Sequence, residues 1–170
     1  MSQAKVFVAG VGTVPFGKPG ATESYDLMAA AATRRALADA GLRYTDVQQA
    51  IVGYVYGDST SGQRALYGVG MSGIPIINVN NNCSTGSTAL FLARQLVEAG
   101  VADCVLAVGF EQMLPGALTE HWSDRPSPFA RFDELCAEIA PFEAPLALRY
   151  FGGAGLEYMA RYGVKANLFA

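Results

Sequence analysis

PIINVN (75–80), NNCSTGS (81–87) and TALFLARQLVEAG (88–100) form one continuous run, and its reading decides the fold. Ile74, Ile76, Ile77 and Val79 are β-branched residues suited to a pleated, buried surface, so the run is predicted to open as a strand. Asn80, Asn81 and Asn82 end the apolar stretch, and Asn tolerates the backbone angles of sharp turns. From Ser84 the spacing becomes helical: Ala89, Leu90, Ala93, Leu96 and Val97 share a face, and Gly100 can close the helix. Cys83 then sits where free backbone N–H groups and the positive end of a helix dipole converge, and both favour negative charge on its sulfur. That is a nucleophile's position. The same pattern also suits an inert packing thiol, since free cysteines are among the most often buried residues. Ser84, Thr85, Gly86 and Ser87 are small enough to let a substrate or a second backbone approach, and fit either use.

Outward from this run, the chain alternates strands and helices. KVFVAGV (5–11) is predicted as a first strand, followed by a glycine-rich turn. Its GVG lacks the GxGxxG spacing, no helix starts directly after it and Pro15 interrupts, so a dinucleotide loop is rejected. Ser24 or Thr22 can cap a helix from Tyr25 to Ala40, with Leu27, Met28, Ala31 and Leu37 inward and Gly41 as its stop. Arg34 and Arg35 read as solvated charges on its outer side. AIVGYVY (50–56) is a second strand, Arg64 to Met71 a short helix, and DCVLAVG (103–109) a fourth strand with Cys104 in its core. The order βαβαβαβ argues for an α/β fold with a mostly parallel sheet flanked by helices.

After Met113 the character changes. The stretch to Leu146 holds most of the prolines and the single Trp122, with no long periodic element, and reads as an inserted loop region. GLEYMARY (155–162) opens another helix, and the closing VKANLFA starts an amphipathic pattern that stops without a cap, as expected of a chain that continues. His121, the only histidine, is the sole candidate imidazole base, but its charged loop setting argues against that role; Cys136 reads as incidental.

Composition bounds the function. The 170 residues are 51% hydrophobic and 16% charged, which fits a packed α/β protein and excludes disorder. The formal charge of −3 and scattered basic residues argue against nucleic-acid binding. No apolar run is long enough to span a bilayer, and no signal segment is evident. Three cysteines in dissimilar settings do not make a disulfide framework, so a reducing, intracellular compartment is expected.

The run from VGYVYGDSTSGQRALYG (52–68) through NNNCSTGS to VLAVGFEQM (105–113) closely resembles the sterol carrier protein X type 3-ketoacyl-CoA thiolases of the thiolase superfamily. The resemblance is dense from Val6 to Met113 and resumes at RYFGGAGLEYMARYG (149–163). It implies a thiolase-like layered fold, with residues 1–113 as the nucleophile-bearing N-terminal half and 114–170 as a loop domain incomplete at its C-terminus. It makes Cys83 the acyl acceptor, which attacks a 3-ketoacyl-CoA before a second coenzyme A takes the shortened acyl group. Coenzyme A enters as substrate, with no permanently bound cofactor and no metal. Branched-chain or sterol-type acyl groups in lipid degradation are the implied substrates, and a homodimer or tetramer the implied assembly. The family's pocket position falls on Phe151, and Met113, at the end of the fourth strand, is a second pocket candidate; both also suit ordinary core. The implied compartment is the cytoplasm of a bacterium or the peroxisome of a eukaryote.

The family's GHP and HDCF histidine motifs do not occur in this sequence, so these 170 residues alone are expected to be inactive. The alternative is a thiolase-fold lipid-transfer or aldolase-like acyl-CoA-binding protein that acts with a partner chain, or an inactive half-enzyme.

Overall fold

The computed structural model describes residues 5–114, 122–139 and 143–169. The chain divides into two compact units, Met1–Leu114 and Pro115–Ala170. In the first, helix α1 (Tyr25–Ala40) is followed by a 3-10 turn, strand β1 (Gln49–Gly53), helix α2 (Ser61–Tyr67), strand β2 (Ile76–Val79), helix α3 (Thr85–Glu98) and strand β3 (Val105–Gly109). Among the described residues the three strands form one parallel sheet in the order β2-β1-β3.

The central strand is buried on both faces, which is why its sequence is continuously apolar rather than alternating. Ala50, Val52 and Tyr54 pack with Ala29 of α1 and with Ala65 and Leu66 of α2. On the opposite face, Ile51 packs with Ala89 and Ala93 of α3. Ile51, Val52 and Leu66 are essentially inaccessible to water, and each contributes about 1.5–3 kcal/mol of burial. The chain runs from β1 through α2 to one neighbour and from β2 through α3 to the other. Right-handed crossovers in opposite directions put those two helices on opposite faces.

Helix α3 approaches the sheet without a side chain between them at one point. A Cβ on Gly53, the last residue of β1, would lie 2.7 Å from Thr85 Cγ2 and 3.0 Å from the Thr85 carbonyl oxygen. At Gly109, the last residue of β3, the nearest atom is the Cα of Gly86, 3.9 Å away.

Several sequence expectations need correction. Lys5–Val11 forms no strand, because among the described residues no strand pairs with it to complete a ladder. The segment lies against α1 instead, where Gly10 and Gly12 bring its backbone onto Ala36 and Ala32, and the Val11 N–H donates to Asp39 Oδ2 at 2.8 Å. Arg34 and Arg35 are not merely solvated: their guanidinium groups donate to the carbonyls of Gly68 and Thr13. The buried stripe of α1 is Ala29, Ala30, Thr33 and Leu37, with Leu27 55% exposed, because small residues permit the close packing against α2 and the sheet. Cys104 precedes β3 and is half-buried rather than a core residue, since its backbone is engaged by Gln48 instead of a ladder.

In the second unit, described by itself, helices α4 (Ala130–Ile139) and α5 (Leu146–Tyr162) precede a 3-10 turn at Ala166–Phe169. The stretch read as irregular therefore contains a helix, with Phe132, Leu135 and Cys136 at helical spacing. Helix α5 starts nine residues before the expected Gly155 and runs through Gly152 and Gly153, the latter buried. The Tyr150 hydroxyl donates to Asp133 Oδ1 at 2.9 Å, tying the two helices together.

The two strand-end glycines give a paired test. Gly53→Ala should destabilise the chain by about 1–3 kcal/mol because the added methyl meets Thr85 and its backbone. Gly109→Ala, with ordinary contact distances, should fall well below that. Denaturant unfolding of both variants checks the order.

Candidate functional site

The parallel register sets the height of every group at the C-terminal edge of the sheet. Gly53 pairs with Val79 on one side and with Gly109 on the other. Beyond these residues the chain leaving β1 turns toward α2, while the chain leaving β2 turns toward α3 on the other face. Where adjacent strand exits diverge in this way a crevice opens between them, and α/β sheets bind ligands there. A cleft of about 220 Å³ occupies that place, lined by Tyr54, Val55, Gly57 and Ser59 from the β1 exit and by Asn78, Val79 and Asn80 from the β2 exit.

Cys83 lies on the β2 exit, three residues beyond Asn80, and its thiol is exposed. The turn that carries it is held by its own side chains. Asn82 takes φ +49°, an angle Asn adopts more readily than most residues. The Asn82 N–H donates to Asn80 Oδ1 at 3.1 Å, and the Asn81 N–H to Thr85 Oγ1 at 2.8 Å. Asn81 Nδ2 donates to Thr88 Oγ1 at 3.0 Å. The helix begins at Thr85 with Ser84 as its N-cap, so Cys83 sits just ahead of the cap. The Ser84 and Thr85 N–H groups are used inside the turn, donating to the carbonyls of Asn81 and Asn82. The next two, on Gly86 and Ser87, have no acceptor among the described residues. Two backbone donors thus remain at the helix end that follows the thiol.

Two residues that sequence reasoning missed stand at the same level. Glu111, two residues past β3, accepts the Val55 N–H at 2.9 Å and the Tyr56 N–H at 3.0 Å, one on each carboxylate oxygen. Burial pushes the Tyr56 phenol pKa up, and the nearby charges of Glu111 and Cys83 push it the same way. Glu111 and Cys83 therefore each lie within electrostatic reach of Tyr56. The available signal was a charged residue placed directly after a buried parallel strand, at the sheet edge where binding groups gather. Phe110 stacks between Tyr25 and Tyr54, with centroids 4.9 and 5.0 Å apart, and Gln112 Oε1 accepts the first N–H of α1, that of Tyr25, at 2.9 Å.

The other candidates are placed as follows. Met113 is half-buried beyond Gln112 and is not among the residues lining the cleft. Phe151 lies on α5 in the second unit, with 75% of its surface exposed. Cys104, half-buried, has its thiol pKa pushed up by burial and by Asp46. Cys136 is half-buried on α4. His121 lies outside the described residues. Among the described residues, no cluster of His, Cys, Asp or Glu could hold a metal ion, and no helix is long and apolar enough to cross a membrane.

Comparison with known proteins gives this geometry a context. The family described as "Thiolase, N-terminal domain" matches residues 6–124. Sterol carrier protein 2 of Gallus gallus is 53% identical over 99% of this chain, and that of Homo sapiens 55% identical over 98%. The chain spans 31% of the length of each. Among solved structures, a chain of the Ltp2-ChsH2(DUF35) aldolase matches with a TM-score of 0.63 and 23% identity, over 92% of this chain and 38% of its own. That likeness establishes the shared fold.

The three cysteines should separate by reactivity. Under limiting iodoacetamide near neutral pH, Cys83 should alkylate about tenfold faster than Cys104 or Cys136, because the attacking species must be both accessible and ionised. Peptide mapping by mass spectrometry reads the order directly, and preferential labelling of Cys104 would contradict the site geometry.

Proposed function

The chain belongs to the thiolase family through its N-terminal domain, and on that premise we propose that it handles lipid acyl groups carried as coenzyme A thioesters, with Cys83 as their point of attachment. The observation that carries this reading is the exposed thiol on the β2 exit, three residues past the cleft residue Asn80 and within electrostatic reach of Tyr56 on the β1 exit. In the attachment step the Cys83 sulfur attacks the thioester carbonyl and forms a new thioester. The bond to coenzyme A breaks, and free coenzyme A departs with the proton. The developing oxyanion needs donors that have no other partner, and the Gly86 and Ser87 N–H groups are available for it. The names of the relatives, sterol carrier proteins, favour lipid handling over carbon–carbon cleavage. Coenzyme A is then a substrate, with no resident cofactor, in the cytoplasm of a bacterium or the peroxisome of a eukaryote.

A second reading is a cleaving thiolase of the sterol carrier protein X type, and the exposed Cys83 favours it. Attack would then fall on the 3-keto carbon of a 3-ketoacyl-CoA. The bond between C2 and C3 breaks, and the leaving acetyl- or propionyl-CoA enolate takes a proton. That proton needs an acid, and this sequence holds neither GHP nor HDCF. Thiolysis is therefore assigned to a longer protein or to a partner chain, as is aldolase-like chemistry. Met113 and Phe151 are the pocket residues proposed to set acyl-chain preference.

The proposed assembly is a homodimer or a tetramer built from it. Strand β2 is an edge of the sheet, with Ile77 44% exposed and one side of its backbone unpaired by any described strand. A second copy of β2 satisfies that edge across a two-fold axis.

Incubation with a lipid acyl-CoA should add one acyl mass to the chain, mapped to Cys83. Cys83→Ser should remove the adduct while leaving the fold intact. In a longer protein that also carries the histidine motifs, the same change should abolish thiolysis, and turnover at the wild-type rate would refute the acyl-acceptor role. Light scattering that shows a stable monomer would refute the β2 pairing.

A further inference from the structure

Glu111 is placed and bonded in a way that packing alone does not require. Strand β1 ends at Gly53, and the Tyr54 N–H is the last to donate to the neighbouring strand, reaching the Val79 carbonyl at 3.3 Å. Val55 and Tyr56 have left the ladder, so their N–H groups need acceptors from elsewhere. Both receive them from one side chain, 56 residues from Val55 and 55 from Tyr56, at 2.9 and 3.0 Å respectively. Val55 lines the cleft, and the opposite wall is Asn78, Val79 and Asn80, whose chain continues directly into the Cys83 turn. The wall residues of the cleft are thus held on one side by the β2 ladder and on the other by the Glu111 carboxylate.

We propose that Glu111 is a positioning residue, whose carboxylate fixes the Val55–Tyr56 backbone, and with it the Val55 wall of the cleft, so that an acyl thioester lies within reach of the Cys83 sulfur. This rests on the reading of Cys83 as acyl acceptor. Only a carboxylate suits the place. It offers an acceptor oxygen to each N–H, whereas the Gln amide offers one oxygen and turns an N–H2 donor toward the second N–H. Asp keeps both oxygens but is one methylene short of reaching both groups.

The test measures two reactions of the same sulfur in the intact 170-residue chain. Palmitoyl-CoA must enter the cleft to acylate Cys83, whereas iodoacetamide needs only an exposed thiol. Glu111→Gln and Glu111→Asp should each slow acylation by about tenfold, since small misplacement of reacting groups is costly. Alkylation of Cys83 by iodoacetamide should stay unchanged, and Cys104 should stay as protected as in the wild type. Acylation at the wild-type rate in both variants would overturn the role of Glu111 and leave that of Cys83 standing. Loss of both reactions together with exposure of Cys104, or failure of both variants to fold, would assign Glu111 to stability alone and also overturn it. A wild-type chain that alkylates at Cys83 but never acylates would remove the acyl-acceptor reading, and this role with it.

Discussion

The contact on which the rest of this structure depends is the approach of the first turn of α3 to the end of β1. Thr85 lies so close to Gly53 that no Cβ fits between them. That approach brings the start of a fourteen-residue helix to the C-terminal edge of the sheet. It also leaves the β2–α3 connection only the few residues from Asn80 to Ser84 in which to reverse. A turn that short needs a residue at positive φ, supplied by Asn82, and polar side chains to occupy its backbone groups, supplied by Asn80, Ser84 and Thr85. Cys83 stands exposed in that turn.

The same edge is organised from the other side by three consecutive residues. Phe110 completes an aromatic stack with Tyr25 and Tyr54, Glu111 takes the backbone of the β1 exit, and Gln112 takes the first N–H of α1. One short segment after β3 therefore ties α1 and β1 together at the level where the crevice opens. The walls of the crevice are held by backbone hydrogen bonds and the thiol by a self-bonded turn, so the site is built on the rigid edge of the sheet. Membership of the thiolase family accounts for that architecture.

How much of this was legible in the sequence depended on whether a signal was local. The β2 strand, the Asn turn, the α3 helix with Gly100 at φ +69°, and Cys83 between them all follow from short-range pattern, and the structure places them within a few residues of expectation. What failed was set by partners far away in the chain. KVFVAGV has the composition of a strand, but pairing is a property of two segments, and no described strand pairs with it. Leu27 is apolar at a helical position, yet the face of α1 that meets the sheet is the one with the smallest residues, chosen by inter-element distance. The α4 helix lies in the proline-rich stretch read as a loop, and α5 begins nine residues ahead of the expected Gly155. Glu111 and Tyr56 carry no motif of their own. Their role appears only when the register of β1 with β3 is known.

The central claim, that the crevice between the β1 and β2 exits is where an acyl group meets Cys83, is tested most directly by a crystal structure of the chain after reaction with a lipid acyl-CoA. The account predicts electron density continuous with the Cys83 sulfur. The thioester oxygen should lie within hydrogen-bonding distance of the Gly86 or Ser87 N–H, and the first carbons of the chain between Val55 and Val79. An acyl chain bound elsewhere, with Cys83 unmodified and the crevice filled only by water, would contradict it.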